Sequence, residues 1–133
     1  MTISPPAAPP SADPLATLRS YGALAPWGLR DLVNVTGAVL QASDIIPLST
    51  AARARPTERT IRFYVTRGLV QSPDGKGTAA VYGYRHFLQV LAIKLRQMEG
   101  ATLDVLAKEF AGFTGDMIER RVAAALGPSL PAP

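Results

Sequence analysis

The chain has no cysteine and a single histidine. The first absence excludes disulfides, zinc–thiolate centres and thiol redox chemistry, and it makes a cytoplasmic location the default expectation. The second leaves His86 with no companion ligand nearby in the sequence. Packing or a backbone hydrogen bond accounts for it better than a metal site, a catalytic triad or a phosphate contact. Long apolar runs are missing as well. No stretch approaches the roughly 18–20 apolar residues that span a bilayer, so no membrane partner is expected. The opening MTISPPAAPPSADP has neither the basic start nor the apolar centre of a secretory leader. Acidic residues are scattered, and no pair is spaced for acid–base work, so no enzyme is expected.

What the chain does have is basic charge gathered in one place. Its 133 residues suggest one domain, and a hydrophobic content of 47% suffices for a modest core. Between Arg53 and Arg96 nine basic residues stand against two acidic ones, a net of +7, whereas the remainder nets −3. A positive field confined to one third of a chain steers it towards polyanions, either nucleic acid or acidic lipid surfaces. A solvated basic face without a partner is the plainer alternative.

Punctuation divides the chain into elements. Residues 1–14 hold five prolines and read as disordered, as does the tail 128–133. Asp13-Pro14 is a cap and a first helical position, predicting a short helix over Leu15–Tyr21. Pro26 repeats that signal for a helix through WGLRDLVNVTGAVL, with Leu29, Leu32, Val33, Thr36 and Leu40 at helical spacing. Residues 41–56 lose periodicity and read as an unusually long loop. Thr57 caps a helix over about 58–67 that Gly68 stops. Leu69–Gln71 and Ala79–Tyr82 read as short strands around the Asp74-Gly75 turn, a β-wing over about 70–82. Three helices follow: YRHFLQVLAIKLRQM before Gly100, LDVLAKEFA after the Thr102 cap, and a short helix over 113–127. In the last, Thr114 is the cap, and Phe113 and Ile118 form a hydrophobic staple. The stretch Asp74-Gly75-Lys76-Gly77-Thr78 looks like a phosphate-binding glycine loop only superficially. It lacks the spacing and the strand-to-helix setting, so it reads as a turn, and no cofactor is expected. The expected fold is mainly α: a winged helix-turn-helix over 15–112 with a small two-stranded wing.

On a wheel of about 100° per residue, Arg59, Arg62, Phe63 and Thr66 share one face of the helix after Thr57, and Ile61, Tyr64, Val65 and Gly68 lie opposite. The apolar set docks the helix. The other set offers two guanidiniums, a hydroxyl and an aromatic edge, groups suited to a major groove, where arginine commonly reads guanine. Arg55 before the helix and Arg67 at its end flank that face and suit phosphates. The competing reading is an amphipathic surface helix whose arginines serve solubility.

The string RTIRFYVTRGLV, residues 59–70, resembles the recognition helix of MerR-type regulators. The string VYGYRHFLQVLAIKLRQMEGATLDVLAKEFAG, residues 81–112, is similar to that family's continuation. The resemblance spans roughly 27–112, and it implies a winged helix-turn-helix that binds duplex DNA and regulates transcription. It places Arg59 and Arg62 facing DNA, Lys76 at the wing tip, and Tyr64, Tyr82 and Arg85 against the sugar-phosphate backbone or bracing the wing. The sequence departs from the family in its long 41–56 segment and its lack of metal-sensing cysteines. By this reading neither a long dimerisation helix nor a small-molecule effector domain is expected. A second copy is therefore expected to pair mainly on DNA. The alternative is a protein-interaction adaptor or regulator antagonist that keeps the fold without binding DNA.

Overall fold

The fold is built around one apolar helix. The structure, a computed structural model, describes residues 13–43, 45 and 55–133. Among these are six α-helices: α1 Pro14–Gly22, α2 Leu29–Ala42, α3 Glu58–Thr66, α4 Tyr84–Met98, α5 Leu103–Ala111 and α6 Gly115–Leu126. Ten residues of α4 are buried, from His86 and Phe87 to Leu95 and Met98. A helix apolar on most of its circumference must be covered on several sides. Here α6 gives the most extensive cover, with α2 and α5 packed on other faces. Phe87, fully buried, anchors an aromatic cluster with Tyr21, Trp27 and Tyr84 at centroid distances of 5.8, 5.4 and 6.1 Å.

The expected caps are in place. Asp13 accepts from the Leu15 amide, and Thr57, Thr102 and Thr114 accept from the amides of Thr60, Val105 and Met117. Each satisfies one of the free donors that begin a helix. The helix expected from Trp27 starts two residues later, after Gly28. Trp27 is held instead in an extended pairing, in which it and Tyr82 exchange backbone hydrogen bonds of 2.8 Å each way. The disordered segment expected at 1–14 falls outside the described residues up to position 12. Residue 44 and residues 46–54 of the expected 41–56 loop also lie outside them.

Two expectations are corrected. Among the described residues the wing is not a two-stranded ladder. It has one antiparallel bridge, Asp74 to Val81, and a 3-10 turn over Gly77–Ala79. Leu69 and Val70 do not pair with Ala79–Tyr82; both amides return to the Tyr64 carbonyl at the end of α3. Pro73 has no amide to donate, and Gly75 at φ 80 and Gly77 at φ 58 turn the chain too sharply for a ladder to continue. A β-carbon on Gly75 would lie 2.7 Å from the Ala79 carbonyl oxygen, so the tight turn needs glycine there. The tail is the second correction. Gly127–Ser129 forms a 3-10 turn that carries Leu130 into the core at 1% exposure. The Tyr21 hydroxyl donates to the Pro131 carbonyl at 2.7 Å.

Charged contacts tie the outer helices to α4. Arg19 of α1 donates to both oxygens of Glu119 on α6 at 3.0 and 3.2 Å, and the Tyr84 hydroxyl donates to the same carboxylate at 2.7 Å. Arg96 grips Glu109 of α5 in the same two-pronged way and also reaches Glu99. The Arg19 bond and charge, with the Tyr84 bond, hold the Glu119 carboxyl below the usual carboxylate range against the opposing effect of burial. Its contribution to stability is therefore in place above the unfolded value near about 4.3 and is lost as pH falls through the lower folded value. Glu119→Gln should lower the thermal midpoint at neutral pH and narrow the gap to wild type as the solution is acidified below about pH 4. A constant gap across that range would show that the carboxylate charge contributes nothing. Leu130→Ala should cost about 2–5 kcal/mol in a urea unfolding curve, the usual loss for emptying a buried leucine site, whereas a disordered tail would register no change.

Candidate nucleic-acid interface

Helix α3 is short, and its docking is made specific by one polar bond inside an apolar contact. Ile61 is fully buried and Tyr64 is 2% exposed. The Tyr64 hydroxyl donates to Oε1 of Gln97 on α4 at 3.2 Å. Burial pushes the phenol up to about 12, with the Gln97 bond partly opposing, so it stays neutral. After Arg67, Gly68 turns left-handed at φ 74 and the chain leaves α3 through the buried Leu69 and Val70.

This docking sends the opposite face outward. Arg59, Arg62 and Thr66 are exposed, and Phe63 remains 44% exposed despite its size. The Thr66 hydroxyl donates to the Arg62 carbonyl at 3.0 Å, which fixes it along the helix. No side-chain hydrogen bond or ion pair engages Arg59 or Arg62 among the described residues. A cleft of about 760 Å³ lies beside this face. Its walls come from three elements: Arg62 and Thr66 of α3, Lys76 and Thr78 of the turn, and Arg30 at the start of α2. Tyr82 lines the same cleft although it is only 4% exposed. Burial raises its phenol, and the nearby Arg62 charge pulls it back.

The residues singled out in the sequence thus divide. Arg62, Thr66, Lys76 and Tyr82 meet at one cleft, with Arg59 and Phe63 exposed on the same helix. Arg67 is turned aside: its guanidinium lies 5.7 Å from the Phe63 ring centre and 3.4 Å from Asp104 of α5. Arg55 is exposed and hydrogen-bonds Gln41 near the end of α2. Arg85 lines a different cavity with Gly115 and Asp116, beside α6. Tyr64 is a core residue. Its hydroxyl is committed to Gln97, as its place on the apolar side of the wheel implied. His86 has the structural role expected of it. Its Nδ1 accepts from the Gly83 amide at 2.9 Å, which leaves Nε2 to donate to the Ser72 carbonyl at 3.1 Å, so the ring braces the turn from beneath.

Sequence reasoning missed Arg30, Gln97 and the two carboxylates in the cleft, Asp31 and Glu58. Arg30 did carry a signal: a cation in the first turn of a helix opposes the macrodipole. Gln97 carried none, because its partner is 33 residues away.

The chain is mainly helical, and its short, cation-faced α3 leads into a glycine-rich turn, an arrangement consistent with a helix-turn-helix family. Residues 49–112, just under half of the chain, match the family model described as MerR HTH family regulatory protein. The matched region begins within the segment read as a loop and leaves out α1, α2 and α6. No curated protein and no solved structure matches the chain.

Tyr64→Phe should cost about 0.5–1.5 kcal/mol in urea unfolding, the usual worth of one neutral hydrogen bond, and leave retention on heparin unchanged. Earlier elution from heparin at unaltered stability would return Tyr64 to the candidate interface.

Proposed function

We propose that this protein binds duplex DNA and regulates transcription, with α3 entering the major groove and the 70–82 segment reaching the adjoining backbone. The observation that carries this reading is the convergence of Arg62 and Thr66 from α3 with Lys76 from the turn on one open cleft. Arg59 is exposed one turn earlier on the same helix. Arginines without partners on a docked helix fit bidentate reading of guanine, and the surrounding cations fit phosphates, which supply most of the affinity. Phe63 fits an apolar contact with a thymine methyl. Arg67 and Arg85, both occupied or turned towards other helices, are secondary backbone contacts in this reading, and Arg55 flanks the site.

Partners follow from the same packing. Ile118, Val122, Ala123 and Leu126 of α6 are buried within the chain, so Met117 is the main large apolar side chain that helix leaves exposed for a second copy. Two copies would meet chiefly on neighbouring DNA sites, where local concentration is raised.

Selection of bound sequences from a random duplex pool tests the reading. Against the selected site, Arg62→Ala should lose about 1–3 kcal/mol, roughly 5- to 150-fold in affinity, and relax the preference at one base position. Arg59→Ala should do the same at a different position. A chain that neither enriches a sequence nor stays on heparin at low salt would instead support the adaptor reading.

A further inference from the structure

The first turn of α2 carries an arrangement that folding alone does not reward. Arg30 sits at the positive end of a 14-residue helix whose N-cap, Gly28, supplies no side-chain bond to the free amides. A cation placed there is repelled by the helix dipole. Arg30 is also exposed, and no ion pair or side-chain hydrogen bond engages it among the described residues. The same cleft wall brings it towards Arg62 and Lys76, two further cations without partners there. Asp31 and Glu58 also line the cleft, and each lies in the first turn of its own helix, where it offsets that helix's dipole. The two carboxylates offset the cleft only in part: Arg30, Arg62 and Lys76 leave a cationic excess from three elements, which an anion would relieve. Local choices that conflict with stability in this way concentrate at functional sites.

We infer that Arg30 makes a DNA-phosphate contact from outside the family-matched stretch, so that α2 forms a third wall of the binding surface beside α3 and the turn. The inference rests on the DNA-binding reading and adds to it a residue that the family match does not cover. The cleft, about 760 Å³, is many times the roughly 30 Å³ share of a water molecule and admits a phosphodiester. Arg30 and Arg62 line it together, so a strand seated in the cleft lies within reach of both walls. Arginine suits this position because its planar fork can hold two phosphate oxygens at once.

The test is fluorescence anisotropy of the full chain with a labelled mixed-sequence duplex across a salt series. Each phosphate neutralised contributes about 0.9 to the slope of log affinity against log salt. Arg30→Ala should flatten the slope by about that amount, so its affinity should fall about 3.5-fold less than wild type between roughly 50 and 200 mM salt. Arg30→Lys should keep the wild-type slope, since the charge remains. The thermal midpoint of Arg30→Lys should match wild type and that of Arg30→Ala should equal or slightly exceed it, because alanine removes a charge that the helix dipole opposes. Wild-type slope and affinity in Arg30→Ala, while Arg62→Ala is weakened, would overturn this inference and leave the DNA reading standing. Salt-insensitive behaviour of the wild-type chain itself would overturn both.

Discussion

Covering α4 is the constraint to which every other helix answers. Val90, Leu91 and Ile93 are fully buried at successive angles around its axis, so no single partner can shield it. Helices α2, α5 and α6 each take a side, and the aromatic cluster at Phe87 closes the N-terminal end. Burying a side chain of this kind contributes about 1.5–3 kcal/mol, and several such residues line this one helix. The ion pairs act differently. Arg19 with Glu119 and Arg96 with Glu109 set which helix lies where, and their geometry gives register more than raw stability.

The same helix gives α3 its orientation. Nine residues are too few to be a stable helix in water, so α3 depends on its contact with the body. Ile61 and Tyr64 provide that contact, and the bond to Gln97 fixes the rotation about the helix axis. Once that rotation is set, Arg59 and Arg62 have only one direction in which to point. The function proposed above is in this sense a by-product of burial: the apolar half decides where the charged half faces. The turn after α3 is placed by His86, which holds Gly83 and Ser72 from the first turn of α4.

Much of this was legible from residue order. Helix caps at Asp13, Thr57, Thr102 and Thr114 are local chemistry, and local chemistry is written in a few adjacent letters. The wheel of α3 was readable for the same reason, and it placed Tyr64 inward even where the family resemblance suggested a backbone contact. The two-stranded wing was over-read. Asp74-Gly75 signals a turn, but strand pairing needs amides in register, and Pro73 and the left-handed Gly77 remove them. Leu130 was under-read because one leucine among prolines looks like linker, and only the groove between α1 and α6 gives it a place. Arg30 was passed over because a residue's position on a helix says nothing about which distant turn will face it.

The bonds between α1 and the far end of the chain bear on how the protein is made. Arg19 meets a residue 100 positions later, and Tyr21 one 110 positions later. Contacts of such sequence separation are the slowest to close, since a long loop must be ordered before they repay it. As the chain emerges during synthesis, α1 is among the first elements finished and the last to find its cover. Until Leu130 arrives, the apolar side of α1 and the inner side of α6 face water. The half that carries α3 can assemble early, while α1 waits for the segment around Leu130.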